Sequence, residues 1–145
     1  MAERLFRGKR ADNEEWVAGS LLGIDWCDKP STYSIAPNTP VSVFYSVIPE
    51  TIGQFTGHID KNKRRAFEGD ILSHCGGSDY GVIRYGEYSS PFSIGQDIGF
   101  YVEWVSGEDK NVLRKDLGYW LSAGTAEIVG NIYDNPELIQ EREVK

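Results

Sequence analysis

The segment that most constrains the fold is residues 51–72, TIGQFTGHIDKNKRRAFEGDIL, because it combines two apolar runs with three turn signals. Gly53 and Gly57 interrupt the first apolar run, and the polar sequence DKNK at residues 60–63 is typical of a tight turn. Gly69 then predicts a reversal of the chain before two further apolar residues. The segment therefore predicts a strand, a hairpin turn and a second strand, with no helix.

Composition extends this interpretation to the whole chain. Sixteen glycines and six prolines are spread along the 145 residues, which favours many short strands joined by turns over a few long helices. A hydrophobic content of 40%, with four Trp, eight Tyr and six Phe, is enough for a core without disulfide or metal staples. We therefore expect residues 1–145 to form a single all-β, mainly antiparallel domain.

The charge and the hydropathy pattern limit the classes of function. A net charge of -7 opposes non-specific attraction to nucleic acid or to anionic membranes. No window has the length and apolar content of a signal peptide core or a membrane-spanning helix, so we expect a cytoplasmic location. Cys27 and Cys75 are too few for a disulfide framework, and both are expected to be free thiols.

The remaining strands are placed by apolar alternation and by turn residues. Residues 27–40, which contain three prolines, indicate a loop or a short edge strand. The other predicted elements are an N-terminal hairpin at about residues 5–22 and strands at residues 41–48, 81–85, 99–105, 119–121 and 127–133.

The C-terminal region predicts a short helix at about residues 136–141. Asp134 or Asn135 can serve as the N-cap, and Pro136 suits the first helical position because its missing N–H has no intrahelical acceptor there. Leu138 and Ile139 provide a short apolar stripe.

Four residues have side chains that zinc prefers, but their spacing does not indicate a site. Cys27, His58, His74 and Cys75 form no pair of the type found in zinc-binding motifs, and the neighbours His74 and Cys75 would point to opposite faces of a strand. Packing and surface roles are the simpler interpretation.

Enzymatic chemistry has a similarly weak basis. Glu68, Asp70 and Asp79 could hold Mg²⁺ in a metal-dependent hydrolase, although a turn around Gly69 explains the first two more simply. The serines have no His and acid partners in their sequence context. We therefore expect a protein without catalytic activity, metal or cofactor, and keep the metal-dependent hydrolase as an alternative.

Two basic clusters lie beside aromatic residues, a combination typical of nucleic-acid-binding surfaces. Charged turn tips and edge strands are, however, more often simply solvated. The residues of this possible nucleic-acid or partner surface are Arg7, Lys9, Lys61, Lys63, Arg64 and Arg65.

Three separated segments resemble the YopX family of phage and prophage proteins. They are FRGKRADNEEWVAGSLL at residues 6–22, the central segment at residues 51–72, and IVGNIYDNPELI at residues 128–139, with weaker support from GVIRY at residues 81–85 followed by Phe92. The resemblance implies a small, mainly β protein with an SH3-like barrel, encoded by a phage or prophage, without an established biochemical role or catalytic residues.

The chain departs from the family pattern at two turns where the family tends to have glycine. Glu14 and Lys63 occupy those positions. A non-glycine residue held at positive φ costs about 1 kcal/mol, so both turns are predicted to be strained or rearranged.

Together these inferences predict an SH3-like barrel core at about residues 41–133, built around residues 51–105. The predicted function is a non-enzymatic protein-interaction module that forms homo-oligomers in the bacterial cytoplasm. A small β-barrel that binds nucleic acid is the alternative.

Overall fold

The structure is a computed structural model that describes residues 5–39, 43–74, 79–89, 95–105, 116–122 and 126–139. The chain divides into two compact units, of which the first ends at Phe55 and the second begins at Thr56. In the described residues nearly all regular structure is antiparallel β, as the composition predicts. The prediction of a single domain over residues 1–145 remains a prediction.

The first unit is built on an antiparallel sheet in which β1 lies between β2 and the start of β5. The strand β3 pairs with β2 on one side and with β4 on the other. The strands are β1 (Phe6–Lys9), β2 (Trp16–Ile24), β3 (Thr32–Pro37), β4 (Tyr45–Ser46) and β5 (Gly53–Ile59), with a 3₁₀ turn at Pro49–Thr51 before β5.

The predicted N-terminal hairpin is confirmed, with β1 and β2 paired from Phe6 and Gly19 to Lys9 and Trp16. Glu14 lies at φ 59, so the strained conformation predicted for this turn is present. The Asn13 carboxamide oxygen accepts the N–H of Glu15 at 3.0 Å, which holds the residues beside the strained position in place.

The small core of the first unit surrounds Ile35, which is fully buried. A Cβ atom on Gly8 would lie only 3.2 Å from the Val47 side chain and 3.3 Å from that of Ile35. The absence of a side chain at Gly8 therefore lets β1 approach the residues that form this core. Leu5 and Phe55 are also buried and are joined by a backbone hydrogen bond of 2.7 Å.

The second unit contains a four-stranded antiparallel sheet in the order β10-β7-β8-β9. The strand β6 is not part of this sheet and pairs with β5. The remaining elements are β6 (Arg65–Phe67), β7 (Asp70–His74), β8 (Tyr80–Ser89), β9 (Gln96–Trp104), the helix α1 (Leu117–Ser122) and β10 (Ala126–Asn131).

The core of the second unit lies between this sheet and α1. Leu72, Ile83 and Val102 supply the buried face of the sheet, and Trp104 packs edge-on against Trp120 of the helix at 5.0 Å between ring centroids. Leu117 and Leu121 of the helix are buried in the same cluster, so α1 contributes both aromatic and aliphatic side chains to this core.

The turn between β5 and β6 is the tight turn predicted at residues 60–63. Lys63 donates its N–H to the Asp60 carbonyl at 3.0 Å and has φ 67, the geometry of a type I turn followed by a bulge residue that is usually glycine. The predicted break of the first strand at Gly57 is wrong. β5 continues through Gly57, which takes φ 88 within the strand.

Several predicted elements differ from the structure. Residues 119–121 form part of α1 and not a strand, because Leu117, Trp120 and Leu121 are all buried along one side of the helix. The strand predicted at residues 41–48 is reduced to the two residues of β4, and residues 41 and 42 lie outside the described residues. The strand β3 is paired on both sides and is not an edge strand.

The C-terminal helix is a single 3₁₀ turn at Pro136–Leu138, shorter than predicted. Asn135 occupies the N-cap position, but its side chain does not cap the turn. It accepts the backbone N–H of Asn131 at 3.2 Å instead. In the described residues no closed barrel is found, since the four-stranded sheet ends at β10 and β9, and the SH3-like barrel remains a prediction.

Candidate interaction surfaces

The basic residues of β1 share one face of the first hairpin with an aromatic ring. Arg7 places its guanidinium carbon 4.7 Å from the Trp16 ring centroid, and the Lys9 ammonium lies 5.5 Å from it. Cation–π contacts of this kind hold both side chains against the sheet. The structure therefore brings Arg7 and Lys9 together, as the sequence indicates, but as a packed face and not as extended arms.

The four basic residues of the β5–β6 hairpin have more structural roles than the sequence suggests. The Arg64 guanidinium donates to the carbonyl of Ile128 at 3.1 Å, and the Lys61 ammonium lies 3.9 Å from the Glu127 carboxylate. Lys63 is the strained turn residue, and Arg65 is exposed at the start of β6. Partial engagement of these charges weakens the case for a phosphate-binding surface.

A buried carboxylate organises the same hairpin. Asp60 is only 3% exposed, and one carboxylate oxygen accepts the N–H groups of Asn62 and Arg64, both at 2.9 Å. The other oxygen accepts the N–H of Ile128 at 3.0 Å, where the pairing of β10 with β7 is interrupted by a bulge. Asp60 thus serves the fold, because it satisfies three backbone donors.

The first unit carries an exposed row of large apolar side chains, here called the Trp26 row. Leu22, Ile24 and Trp26 are 46%, 44% and 43% exposed. Because side chains alternate along a strand, the two residues of β2 lie on one face, and Trp26 continues the alternation beyond the strand. Three adjacent exposed apolar side chains are typical of an interaction surface rather than of scattered surface residues.

The orientation of Trp26 is fixed by polar contacts. Its indole N–H donates to the Thr32 hydroxyl at 3.2 Å, and the Lys29 ammonium lies 4.1 Å from its ring centroid. Ser31 donates to the Asp25 carboxylate at 2.6 Å and closes the connecting loop. A held aromatic side chain loses little conformational entropy on binding.

The second unit carries an exposed hairpin end, here called the β8–β9 tip, formed by residues 85–89 and 96–100. These segments pair with each other and extend past the last residue of β8 that pairs with β7. Tyr85 and Phe100 are direct cross-strand partners in edge-on contact at 5.0 Å. Tyr85 is 57% and Ile98 is 68% exposed, so this face of the tip presents apolar surface to solvent.

The opposite face of the β8–β9 tip is formed by two stacked tyrosines. The rings of Tyr88 and Tyr101 lie 5.3 Å apart beside the Gly86 and Gly99 pair, where neither strand has a side chain. Burial raises the pKa of Tyr88 above its ordinary value, and the carboxylates of Asp97 and Asp116 raise it further. The neutral phenol is therefore the favoured form on this face.

Metal and catalytic hypotheses gain no support from the described residues. They contain no group of three His, Cys, Asp or Glu side chains arranged to hold a metal ion. The His74 ring packs edge-on against Trp120 at 5.2 Å, and His58 lies against Gly118 of α1. Asp70 is buried and accepts the N–H of Phe67 at 2.8 Å, which agrees with its predicted role in the turn.

The prediction of free thiols can be compared with the structure for one of the two cysteines. Cys27 is free and exposed, as expected, and Cys75 lies outside the described residues. No helix in the described ranges is long and apolar enough to cross a membrane.

Sequence interpretation did not identify the Trp26 row. The alternation of Leu22, Ile24 and Trp26 was a visible signal. However, alternation alone does not say whether an apolar face is covered by other parts of the protein.

Comparison with known proteins shows a similar fold among solved structures and the family of the chain. Among solved structures, the crystal structure of protein EF1440 from Enterococcus faecalis is similar to this chain with a TM-score of 0.54 and 20% sequence identity. The match covers 97% of this chain and 100% of the other. No curated protein matches the chain. The model of the YopX protein family matches residues 5–140, and the chain therefore belongs to the YopX family.

Proposed function

We propose that this member of the YopX family is a non-enzymatic protein-interaction module, encoded by a phage or prophage and active in the cytoplasm of the bacterial host. The observation that carries the proposal is the Trp26 row, in which two large apolar side chains of the paired strand β2 and Trp26 just beyond it are each more than 40% exposed. Burial of such side chains against a partner releases about 25 cal/mol per Å² of apolar surface.

Leu22 and Ile24 are suited to binding because they lie on a regular strand. Leu22 and Ile24 pair with Ser34 and Thr32 of β3, so the backbone beneath the row is held by the sheet. A preformed apolar surface with a fixed aromatic side chain avoids most of the ordering cost of association. Trp is also enriched among the residues that dominate binding energy at protein interfaces.

The proposal also includes the SH3-like barrel. We propose that the β5–β6 hairpin and the four-stranded sheet together form the SH3-like barrel expected around residues 51–105. The contacts of Asp60 and Arg64 with Ile128 support this arrangement, because they join the hairpin to β10 through side chains. An experimental structure that separates the hairpin from β10 would contradict it.

Affinity capture from prophage-induced cells tests the interaction role. Immobilised parent protein is expected to retain a specific partner, and Ile24→Asp is expected to lose it because a carboxylate would have to be buried in the interface. Val129→Asp is the matched control, since Val129 is a 37% exposed apolar residue of the second unit. Equal recovery of the partner by the parent and by Ile24→Asp would contradict the assignment of the Trp26 row.

A further inference from the structure

The outer edge of β8 within the β8–β9 tip has backbone groups that point away from β9. Val105 donates to the Tyr80 carbonyl at 2.9 Å, so the backbone groups of Tyr80 face β9. Gly69 donates to the Ile83 carbonyl at 2.9 Å, so those of Ile83 face the other way. Because this direction alternates along a strand, the N–H and C=O groups of Tyr85, Glu87 and Ser89 also point outward.

No described strand continues beside those three residues. In the described part of the chain, the register of β7 with β8 ends at Val82, and β8 beyond it pairs only with β9. Tyr85, Glu87 and Ser89 are all exposed. A row of outward donors and acceptors on a strand held by its other neighbour is a template for strand addition.

The charge of the tip selects the kind of strand that fits. The only charged residues between positions 85 and 102 are Glu87 and Asp97. Arg84, which precedes them, lies 3.5 Å from the Glu103 carboxylate and is engaged there. By strand alternation, Glu87 lies on the face of Tyr85, and Asp97 lies on the face of Tyr88, so each face combines a carboxylate with an aromatic ring.

We propose that the outer edge of β8 from Tyr85 to Ser89 binds an extended, basic segment of a partner protein by adding it as a further antiparallel strand. A second copy of the chain fits less well, because its own acidic tip would bring like charges together. The inference rests on the proposed interaction role but uses a surface other than the Trp26 row. It adds to that role the kind of partner segment that binds, which is an extended strand with basic side chains.

The proposed pairing of an added strand with Tyr85, Glu87 and Ser89 determines the sequence of a test peptide. A fluorescein-labelled, acetylated peptide with the core Thr-Arg-Lys-Val-Val, added antiparallel, places lysine opposite Glu87 and valine opposite Tyr85. Saturable binding to the full-length protein is expected, with a Kd below about 10⁻³ M. In amide NMR spectra, the shifts should concentrate at Tyr85, Glu87 and Ser89. A peptide with the core Thr-Glu-Glu-Val-Val should not bind.

Substitutions of Glu87 distinguish the contribution of the backbone edge from that of the carboxylate charge. Glu87→Pro removes an N–H that points outward and leaves the ladder to β9 intact, so it should weaken peptide binding at least about tenfold. Glu87→Gln keeps the N–H and should lose less affinity, together with part of the salt dependence. Ile98→Pro, on the outer edge of β9, is the matched control and should bind as the parent does. Circular dichroism verifies that each variant is folded.

The proposal would be overturned by unchanged binding to Glu87→Pro, by equal binding of the acidic peptide, or by NMR shifts centred away from the tip. A basic peptide with N-methyl groups on its core, which cannot pair with the edge, provides the same test on the unaltered protein. If this peptide binds as tightly as the unmethylated one, the edge is not the site. Loss of partner capture by Ile24→Asp would then still stand as separate evidence for the interaction role.

Discussion

The Asp60 carboxylate accepts the backbone N–H of Ile128 at 3.0 Å, across 68 positions of the chain. The same carboxylate closes the β5–β6 turn through the N–H groups of Asn62 and Arg64. One buried side chain thus fixes both the turn and its attachment to the bulged strand β10. Its removal should affect the second unit more than any change at an exposed carboxylate.

Asp60→Asn tests this role. The carboxamide can present only one accepting oxygen, so one backbone donor would face an N–H₂ group, and we expect a loss of about 3 kcal/mol in the free energy of unfolding. Denaturant unfolding followed by tryptophan fluorescence measures the change. Asp12→Asn is the control, since the Asp12 side chain is 66% exposed and pairs with Arg10 at the surface. A midpoint for Asp60→Asn equal to that of the control would contradict the prediction.

Glycine at the two strained turns should stabilise the protein. Glu14→Gly and Lys63→Gly replace residues at φ 59 and φ 67, and each is expected to gain about 0.5–1 kcal/mol in the free energy of unfolding. Denaturant midpoints check this result. Glu15→Gly, at the neighbouring position without positive φ, should lower stability and serves as the control. Lower stability in both turn variants would show that the strain is compensated locally.

The raised pKa of Tyr88 predicts a stability change at alkaline pH. In the unfolded chain the phenol ionises near its ordinary pKa of 10.0, whereas the folded protein retains the proton to higher pH because of burial and the nearby Asp97 and Asp116 carboxylates. The stability that is linked to the neutral Tyr88 phenol is therefore fully present below pH 10.0 and is lost as the pH rises through the pKa of the folded protein.

Tyr88→Phe should flatten this alkaline loss of stability. Denaturant midpoints measured at several pH values on either side of the ordinary tyrosine pKa provide the measurement, and ultraviolet absorbance should show one fewer late-ionising phenol. Tyr119→Phe is a control outside the tip. Identical titration curves for the parent and Tyr88→Phe would refute the assignment.

Self-association is a separate expectation. Exposed aromatic and aliphatic side chains on both units favour a homo-oligomer. Light scattering at tens of micromolar, roughly the range of moderate affinities, should give a mass above that of one chain. A monomer at that concentration would exclude this expectation, while the capture experiment would still test binding to another protein.

Nucleic acid is expected not to bind tightly. Lys61 and Arg64 already contact Glu127 and Ile128, and the chain carries a net charge of -7. We predict no complex with DNA or RNA tighter than about 10⁻⁵ M near physiological salt. Fluorescence anisotropy with single- and double-stranded oligonucleotides measures this. A submicromolar complex that is lost when Arg64 and Arg65 are both replaced by alanine would favour the nucleic-acid alternative.

Local sequence signals predicted the turns well because their causes are local. The polar residues at positions 60–63 and the glycine at position 69 specify chain reversals within a few residues, and both reversals are present. The role of Asp60 was not predictable in this way, since its third partner, Ile128, becomes a neighbour only after the sheet has formed.

The helix α1 is an element that local sequence signals did not predict. Its buried residues Leu117, Trp120 and Leu121 have helical spacing, yet Tyr119 and Trp120 have high strand propensity, and the strand interpretation was wrong. Contact of Trp120 with Trp104 of the sheet decides the outcome, and that contact is tertiary. The Trp26 row was likewise readable as an apolar alternation, but its exposure depends on what the rest of the chain covers.

The strained turns also differ in how readily mutation can relieve them. A glutamate codon becomes a glycine codon by a single nucleotide change, so random mutagenesis with selection for thermal survival can reach Glu14→Gly directly. Lysine requires two changes, and the intermediate residue is glutamate or arginine, each of which keeps a side chain at positive φ. The conformation is similar at the two turns, but only at residue 14 does one nucleotide change relieve it.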